Sequence, residues 1–250
     1  MILDTFERYK HNLFLSPITS GTLEHIGKVC GITDSSTVLD IDCGKGGAAL
    51  TLAEKFKCAV TGIESQAEFA EEAWRRAIFE DLDHFVNIID SGPEELPFDD
   101  FFFDLALSLG HVRPFNTAKI LLELSRVVRD GGWIAISEMV WKSGDSDSAN
   151  PAVKEWVNGF SPSRISGLDE RIKELSGAGF WVESAELEED KSWEDFYAPQ
   201  AMAILENRHE HIGSAEAKSI LDKWQNELEI FHAAGGKESL GYACFILRLP

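Results

Sequence analysis

Cysteine is sparse in this 250-residue chain, and its four copies, Cys30, Cys43, Cys58 and Cys244, form no C-x-x-C pair. That spacing argues against both a disulfide framework and a zinc site. Positive charge is also scarce: 23 Lys and Arg face 43 Asp and Glu, for a formal charge of −20. A surface that acidic repels phosphate backbones and anionic headgroups, so wide contact with nucleic acid or a membrane is not expected. No apolar run approaches the length that crosses a bilayer. The opening residues, MILDTFE, lack the basic and apolar regions of a signal peptide. These absences lead to the expectation of a cytoplasmic, reduced, soluble protein with no metal site.

The composition is that of an ordinary globular domain, 44% hydrophobic and 26% charged. The length suits one large α/β domain spanning residues 1–250. Short apolar runs alternate with helical patterns over the first 140 residues or so: strands at Thr37–Ile41, Ala59–Ile63, Val86–Ile89, Phe103–Ser108 and Trp133–Met139, helices at Ala48–Phe56, Gln66–Phe79 and Ala118–Val128. Such alternation predicts right-handed βαβ units around a parallel sheet. Further on, GDSDSANP (144–151) reads as a polar loop and Ser166–Ala178 as a helix. A sixth strand falls near Phe180–Leu187. Two helical stretches follow, about Trp193–His211 and Ala215–Ala233, before a last strand at Tyr242–Leu247. The helical pair, residues 190–235, is an insertion between the last two strands.

The most informative segment is VLDIDCGKGG (38–47), a buried strand that runs into glycines and then a helix. Glycines there let a ligand approach the backbone, and a helix N-terminus favours electron-rich groups. Glu64 closes the second strand, where a carboxylate can take both hydroxyls of an adenosine ribose. Gly44, Gly46 and Ala49 also satisfy the dinucleotide pattern G-x-G-x-x-A, which keeps a nicotinamide enzyme in play.

Four segments in order resemble the class I S-adenosylmethionine (SAM)-dependent methyltransferases: VLDIDCGKGG, TGIES, EELPFDDFFFDLALSLG and LLELSRVVRDGGWIAISE. Weaker likenesses, HNLF (11–14), WEDFYAPQ (193–200) and GYACF (241–245), extend the match toward a group of small bacterial, ubiquinone/menaquinone-methylase-like enzymes. The resemblance implies a doubly wound, seven-stranded Rossmann-like sheet. It also implies SAM as cofactor, S-adenosyl-L-homocysteine (SAH) as product and a small-molecule methyl acceptor as partner. The cofactor would lie against Asp40, Asp42, Gly44, Gly46, Glu64, Ser65, Ser91, Gly92 and Ser108. Residues 1–30 would form a helical lid over it, with His11 to Phe14 folding across. Two positions depart from the family pattern: Asp42 replaces the first loop glycine, and Gly92 replaces an aspartate that contacts the adenine amino group.

Methyl transfer from a sulfonium is an in-line displacement, so the protein mainly aligns the reactants and excludes water. A general base is required only if the acceptor still holds its proton at neutral pH. The catalytic candidates are His111, just past the fourth strand, Glu138, expected to end the fifth, and Tyr197. Trp141, Trp156, Trp193, Phe196 and Tyr197 are candidates to line an acceptor pocket, the helical pair being placed at the carboxyl edge of the sheet by its start after the sixth strand. His209, His211, Glu206 and Glu210 look like a metal cluster but fall on different helix faces, which makes them a solvated surface. Competing functions are a degenerate SAM or SAH binder, a methyltransferase for RNA or protein, and the nicotinamide dehydrogenase. The oligomeric state stays open, with a homodimer among the options.

Overall fold

The computed structural model describes residues 3–93, 95–110, 117–160 and 165–249. Helices α1 (Thr5–Arg8) and α2 (Ser20–Val29) lead into β1 (Thr37–Ile41), α3 (Gly47–Phe56), β2 (Ala59–Glu64), α4 (Ala67–Phe79) and β3 (Val86–Asp90). Then come β4 (Phe103–Leu109), α5 (Thr117–Val127), β5 (Val128–Trp141), α6 (Pro151–Phe160), α7 (Leu168–Gly177) and β6 (Trp181–Leu187). The long helices α8 (Asp190–Glu210) and α9 (Ala215–Ala233), the single turn α10 (Gly236–Ser239) and β7 (Leu240–Arg248) follow.

The strands form one sheet in the order β3-β2-β1-β4-β5-β7-β6. β1 to β5 pair in parallel, and β7 runs antiparallel to both β5 and β6. β6 therefore points the same way as the first five, as expected. Strand order reverses between β1 and β4, and in open α/β sheets the carboxyl ends at such a reversal make the binding crevice. Val38, Leu39 and Ile41 of β1 are all buried, which is why the strand reads as a continuous apolar run.

Three apolar clusters hold the molecule together. One packs α2 and α3 on a sheet face through Leu23, Ile26, Leu52 and Leu107. A second packs α5 and α7 on the other face through Leu124, Leu175, Phe103 and Phe245. The third stands beyond the carboxyl edge, where α6, α8 and α9 meet the N-terminal residues around Val153, Trp193, Tyr197 and Phe231.

Two elements differ from the sequence reading. Helix α6 was not expected after the polar loop. Its Pro151 stands in the first turn, where a missing N–H is harmless, and Val153, Trp156 and Val157 follow at helical spacing. Strand β5 begins directly after α5, shifts register between Phe103 and Leu105 of its neighbour, and runs on to Trp141. Glu138 thus lies inside the strand, opposite Ala243, not at its end.

Candidate active site

After β1 the backbone turns through three left-handed residues, Asp42 (φ 47°), Gly44 (φ 56°) and Gly46 (φ 77°), before α3 starts. The family's glycine at position 42 has a conformational reason, and aspartate is among the few side chains that tolerate this region. The loop is held by Glu64: the Gly44 N–H donates to its Oε2 at 3.0 Å, and the Gln66 N–H to its Oε1 at 2.8 Å. Asp40 and Glu64 are buried, and Asp42 is half-buried beside them.

Burial pushes the Asp40 carboxyl up to about 8, although a hydrogen bond from the Ala49 N–H opposes the shift; repulsion from Asp42 and Glu64 adds to it. Burial and then Glu64 push Asp42 up to about 7. Burial also raises Glu64, against the backbone N–H groups that favour its charge. Asp40 Oδ2 is buried with no hydrogen-bond partner among the described residues. The lysine in the loop does not compensate these acids. Lys45 Nζ turns away and donates to the carbonyls of Tyr9 and Lys10, at 2.7 and 2.9 Å.

This donor set discriminates between the two cofactors that the glycine pattern allows. Buried acids cannot neutralise a pyrophosphate in either protonation state, whereas SAM brings a sulfonium and an ammonium that favour their charged forms, and ribose hydroxyls. Of the other expected cofactor contacts, Ser65 and Gly92 are exposed, Ser91 is half-buried and Ser108 is buried in β4. A Cβ on Gly92 would meet nothing within 4 Å.

The N-terminal segment lies across the loop. A Cβ on Gly44 would come within 2.5 Å of Leu15 Cδ1, and one on Gly47 within 2.6 Å of the Leu13 carbonyl. The segment is tied on its far side to the helical pair. Asn12 Nδ2 donates to the Phe196 carbonyl at 2.9 Å, in a turn of α8 that contains Pro199. Glu206 pairs with Lys10 at 3.0 Å and His11 at 2.8 Å. Arg8 donates to Gln200 at 2.7 Å and pairs with Glu227 at 2.7 Å.

Behind this segment is a cavity of about 130 Å³. Trp193, Phe196 and Tyr197 of α8, Trp156 of α6, Tyr242 of β7 and Tyr9 give it aromatic walls, and Glu227 of α9 is the one charged lining residue among the described residues. Gly110 and Met139, at the carboxyl ends of β4 and β5, form its sheet side together with Leu15 and Ser16. Trp193 stacks on Tyr197 and Phe231 and meets Tyr242 edge-on at 5.7 Å. The Tyr242 hydroxyl accepts from Ser137 Oγ at 3.2 Å.

Of the acceptor candidates, Trp156, Trp193, Phe196 and Tyr197 come together here. Trp141 is buried in the same apolar cluster without lining the cavity. Glu138 projects to the sheet face opposite Met139, because neighbours in a strand alternate. There Arg171 grips its carboxylate through Nε and, at 3.5 Å, Nη2. That ion pair occupies the carboxylate away from the cavity. His111 lies outside the described residues. Tyr9, Ser16, Met139 and Glu227 were missed as site residues. A signal existed for Glu227, an acid on the Trp224, Leu228 and Phe231 stripe of α9.

The sheet order, the glycine turn and the acid closing β2 define the class I SAM-dependent methyltransferase fold. Residues 39–136 match the family model described as a methyltransferase domain. It is 27% identical over 241 residues to the 27-O-demethylrifamycin SV methyltransferase of Amycolatopsis mediterranei, covering 94% of this chain and 85% of that one. It is 35% identical over 116 residues to the ubiquinone/menaquinone biosynthesis C-methyltransferase UbiE of a Geobacter species, covering 44% and 48%. Several other curated relatives are matched over less than half of their own length. A SAM-dependent methyltransferase from Thiobacillus denitrificans, solved with SAH, superposes with a TM-score of 0.84 at 20% identity, covering 100% of both chains. No described helix is long and apolar enough to cross a membrane.

Proposed function

We propose that this protein transfers a methyl group from SAM to a small-molecule acceptor held in the aromatic cavity. One observation carries the reading: the Leu15 side chain both rests on Gly44 and lines the cavity, so loop and cavity are one side chain apart. When bound, SAM supplies a methyl already activated on a sulfonium. Glu64 would take the ribose hydroxyls, and Asp40 and Asp42 would face the cationic end. Trp193, Phe196, Tyr197 and Tyr242 orient the acceptor and keep water from the line of transfer. The rifamycin and quinone relatives are methyltransferases of small molecules by name, which agrees with this acceptor class.

Residues 1–30 act as the lid in this reading, held shut by Lys45 on one side and Glu206 and Glu227 on the other. Deleting residues 1–15 should lower turnover and cofactor affinity while the sheet stays folded. A truncated protein that methylates normally overturns the lid. The activity itself is tested by homocysteine release on a broad metabolite extract, with mass spectrometry for an added methyl. Asp42 favours one second reading, a SAM or SAH binder that transfers nothing. Calorimetric binding without turnover across the extract would support it.

A further inference from the structure

Helix α8 is apolar on two faces. Trp193, Phe196 and Tyr197 are buried against α6, α9 and β7. On the outer face Met202 is 55% exposed, Leu205 68%, and Ile212, just past the helix end, 79%. At about 100° per residue, Ala198, Met202 and Leu205 fall within about 60° of one another and form one stripe along the helix. Single exposed apolar residues are ordinary, but a continuous row marks an interaction surface. Beside the stripe runs a groove of about 350 Å³ between α8 and α9, with Ala198 and Ala201 on its α8 wall and Leu228 on its α9 wall.

This face is asymmetric along its length. The first half is small, Ala198 and Ala201 beside the groove, and the second is large, Met202, Leu205 and Ile212. Charge divides the same way. Glu194 and Arg208 each stand seven positions from Ala201, on opposite sides. Arg208 pairs with Asp222 at 2.9 Å, an acid that Lys218 also holds, so that end carries two cations on one carboxylate. At the other end Glu194 pairs with Lys237 at 2.7 Å, and Asp195 follows it. Glu210 lies about 120° round the helix from Ala198, off the stripe.

A surface with one small, acidic half and one large, basic half is complementary to its own copy turned end for end. Antiparallel pairing about Ala201 sets Met202 and Leu205 of one copy against Ala198, Ala201 and the groove of the other. It also sets Arg208 against Glu194, twice. Such an isologous contact closes on itself. With α9 alongside, the face measures about 30 Å by 20 Å. Two such faces bury about 1,200 Å², above the roughly 1,000 Å² that a specific interface needs.

We infer that the outer face of α8, with its groove against α9, is the surface on which two copies of this chain pair antiparallel. The inference is independent of the methyl-transfer reading. The chain's net charge of −20 opposes association in general, so pairing depends on the stripe and the two local ion pairs.

Sedimentation equilibrium of the intact protein should show a dimer with a dissociation constant of about 1–10 µM. Leu205→Glu, at a position already exposed, should weaken it at least about tenfold while the unfolding curve stays that of wild type. Glu194→Arg and Arg208→Glu should each weaken it about three- to tenfold, and the two together should restore it. Restoration by exchange is a result that loss of the pairs within one chain cannot give. If Leu205→Glu fails to fold, the charge exchange decides. A wild type that stays monomeric at about 100 µM, a dimer indifferent to Leu205→Glu, or a charge exchange that restores nothing would overturn the inference.

Discussion

The two halves of the site are built by opposite means. At the glycine loop the backbone makes the surface, and charge crowds into it: three left-handed residues, two buried acids and a third half-buried. At the helical pair the side chains make the surface, and Glu227, the only charged lining residue among those described, is paired with Arg8. The first half carries the turn and the acids that the proposed cofactor would meet. The second is shaped by side chains of α6, α8, α9 and β7, with no special backbone turn. In the proposed reading, substitutions in the cavity leave the loop's backbone as it is, so the two halves can change separately.

That separation breaks, if it is wrong, at Trp193. Trp193→Ala removes a fully packed ring and should lower unfolding free energy by about 3–5 kcal/mol, read by chemical denaturation. The protein that remains folded should bind SAH like wild type. A parallel loss of SAH affinity would mean that the halves are one unit. The converse variant is Glu64→Ala, which removes the anchor of Gly44 and the ribose contact. SAM affinity should fall by about 1.5–3 kcal/mol, roughly ten- to a hundredfold. Unchanged affinity by calorimetry would remove Glu64 from the cofactor site.

A pH series sharpens the electrostatic side. In the ligand-free native state Asp40 and Asp42 keep their protons up to about 8 and about 7, whereas unfolded aspartates release them near 4. The native state then holds more protons across that interval, so stability should fall as pH rises from about 5 to about 8. SAM affinity should rise over the same range, and by more than SAH affinity, because only SAM carries the sulfonium. Asp42→Gly should flatten both trends and, by relieving a left-handed side chain, add about 1 kcal/mol of stability. Parallel pH curves for SAM and SAH would show that the acids do not read the sulfonium. The smallest effect is expected at Gly92, where a side chain has open space. Gly92→Asp should tighten SAM by about 1 kcal/mol, about fivefold, through the adenine amino group. No change, or a loss, would place the adenine elsewhere.

The same contrast explains what could be read before the structure. Glycine positions 44 and 46 and the acid at 64 are legible because backbone conformation demands particular residue types at particular offsets. The helical pair was placed at the right edge because chain topology leaves β6 no other exit. The cavity was only half legible. Trp193, Phe196 and Tyr197 were singled out, but aromatic spacing does not say which ring turns inward, and Trp141 is packed away from it. Glu138 was misplaced because β5 continues three residues beyond it to Trp141, which turns its carboxylate to the Arg171 face. Tyr9 and Glu227 meet only through folding, 218 positions apart in sequence, and no local pattern links them.

The segment from Tyr9 to Pro17 has a kinetic consequence. It is a shared wall, resting on Gly44 through Leu15 and closing the cavity through Tyr9, Leu15, Ser16 and Pro17. Lys45 pins its start to the loop. In the ligand-free protein the wall is already in place, so in the proposed reading a movement that admits the cofactor would open the cavity as well. Loop and cavity would then open and close together. An acceptor analogue that fills the cavity would hold the wall down and slow cofactor exchange, read as a lower SAH off-rate in its presence.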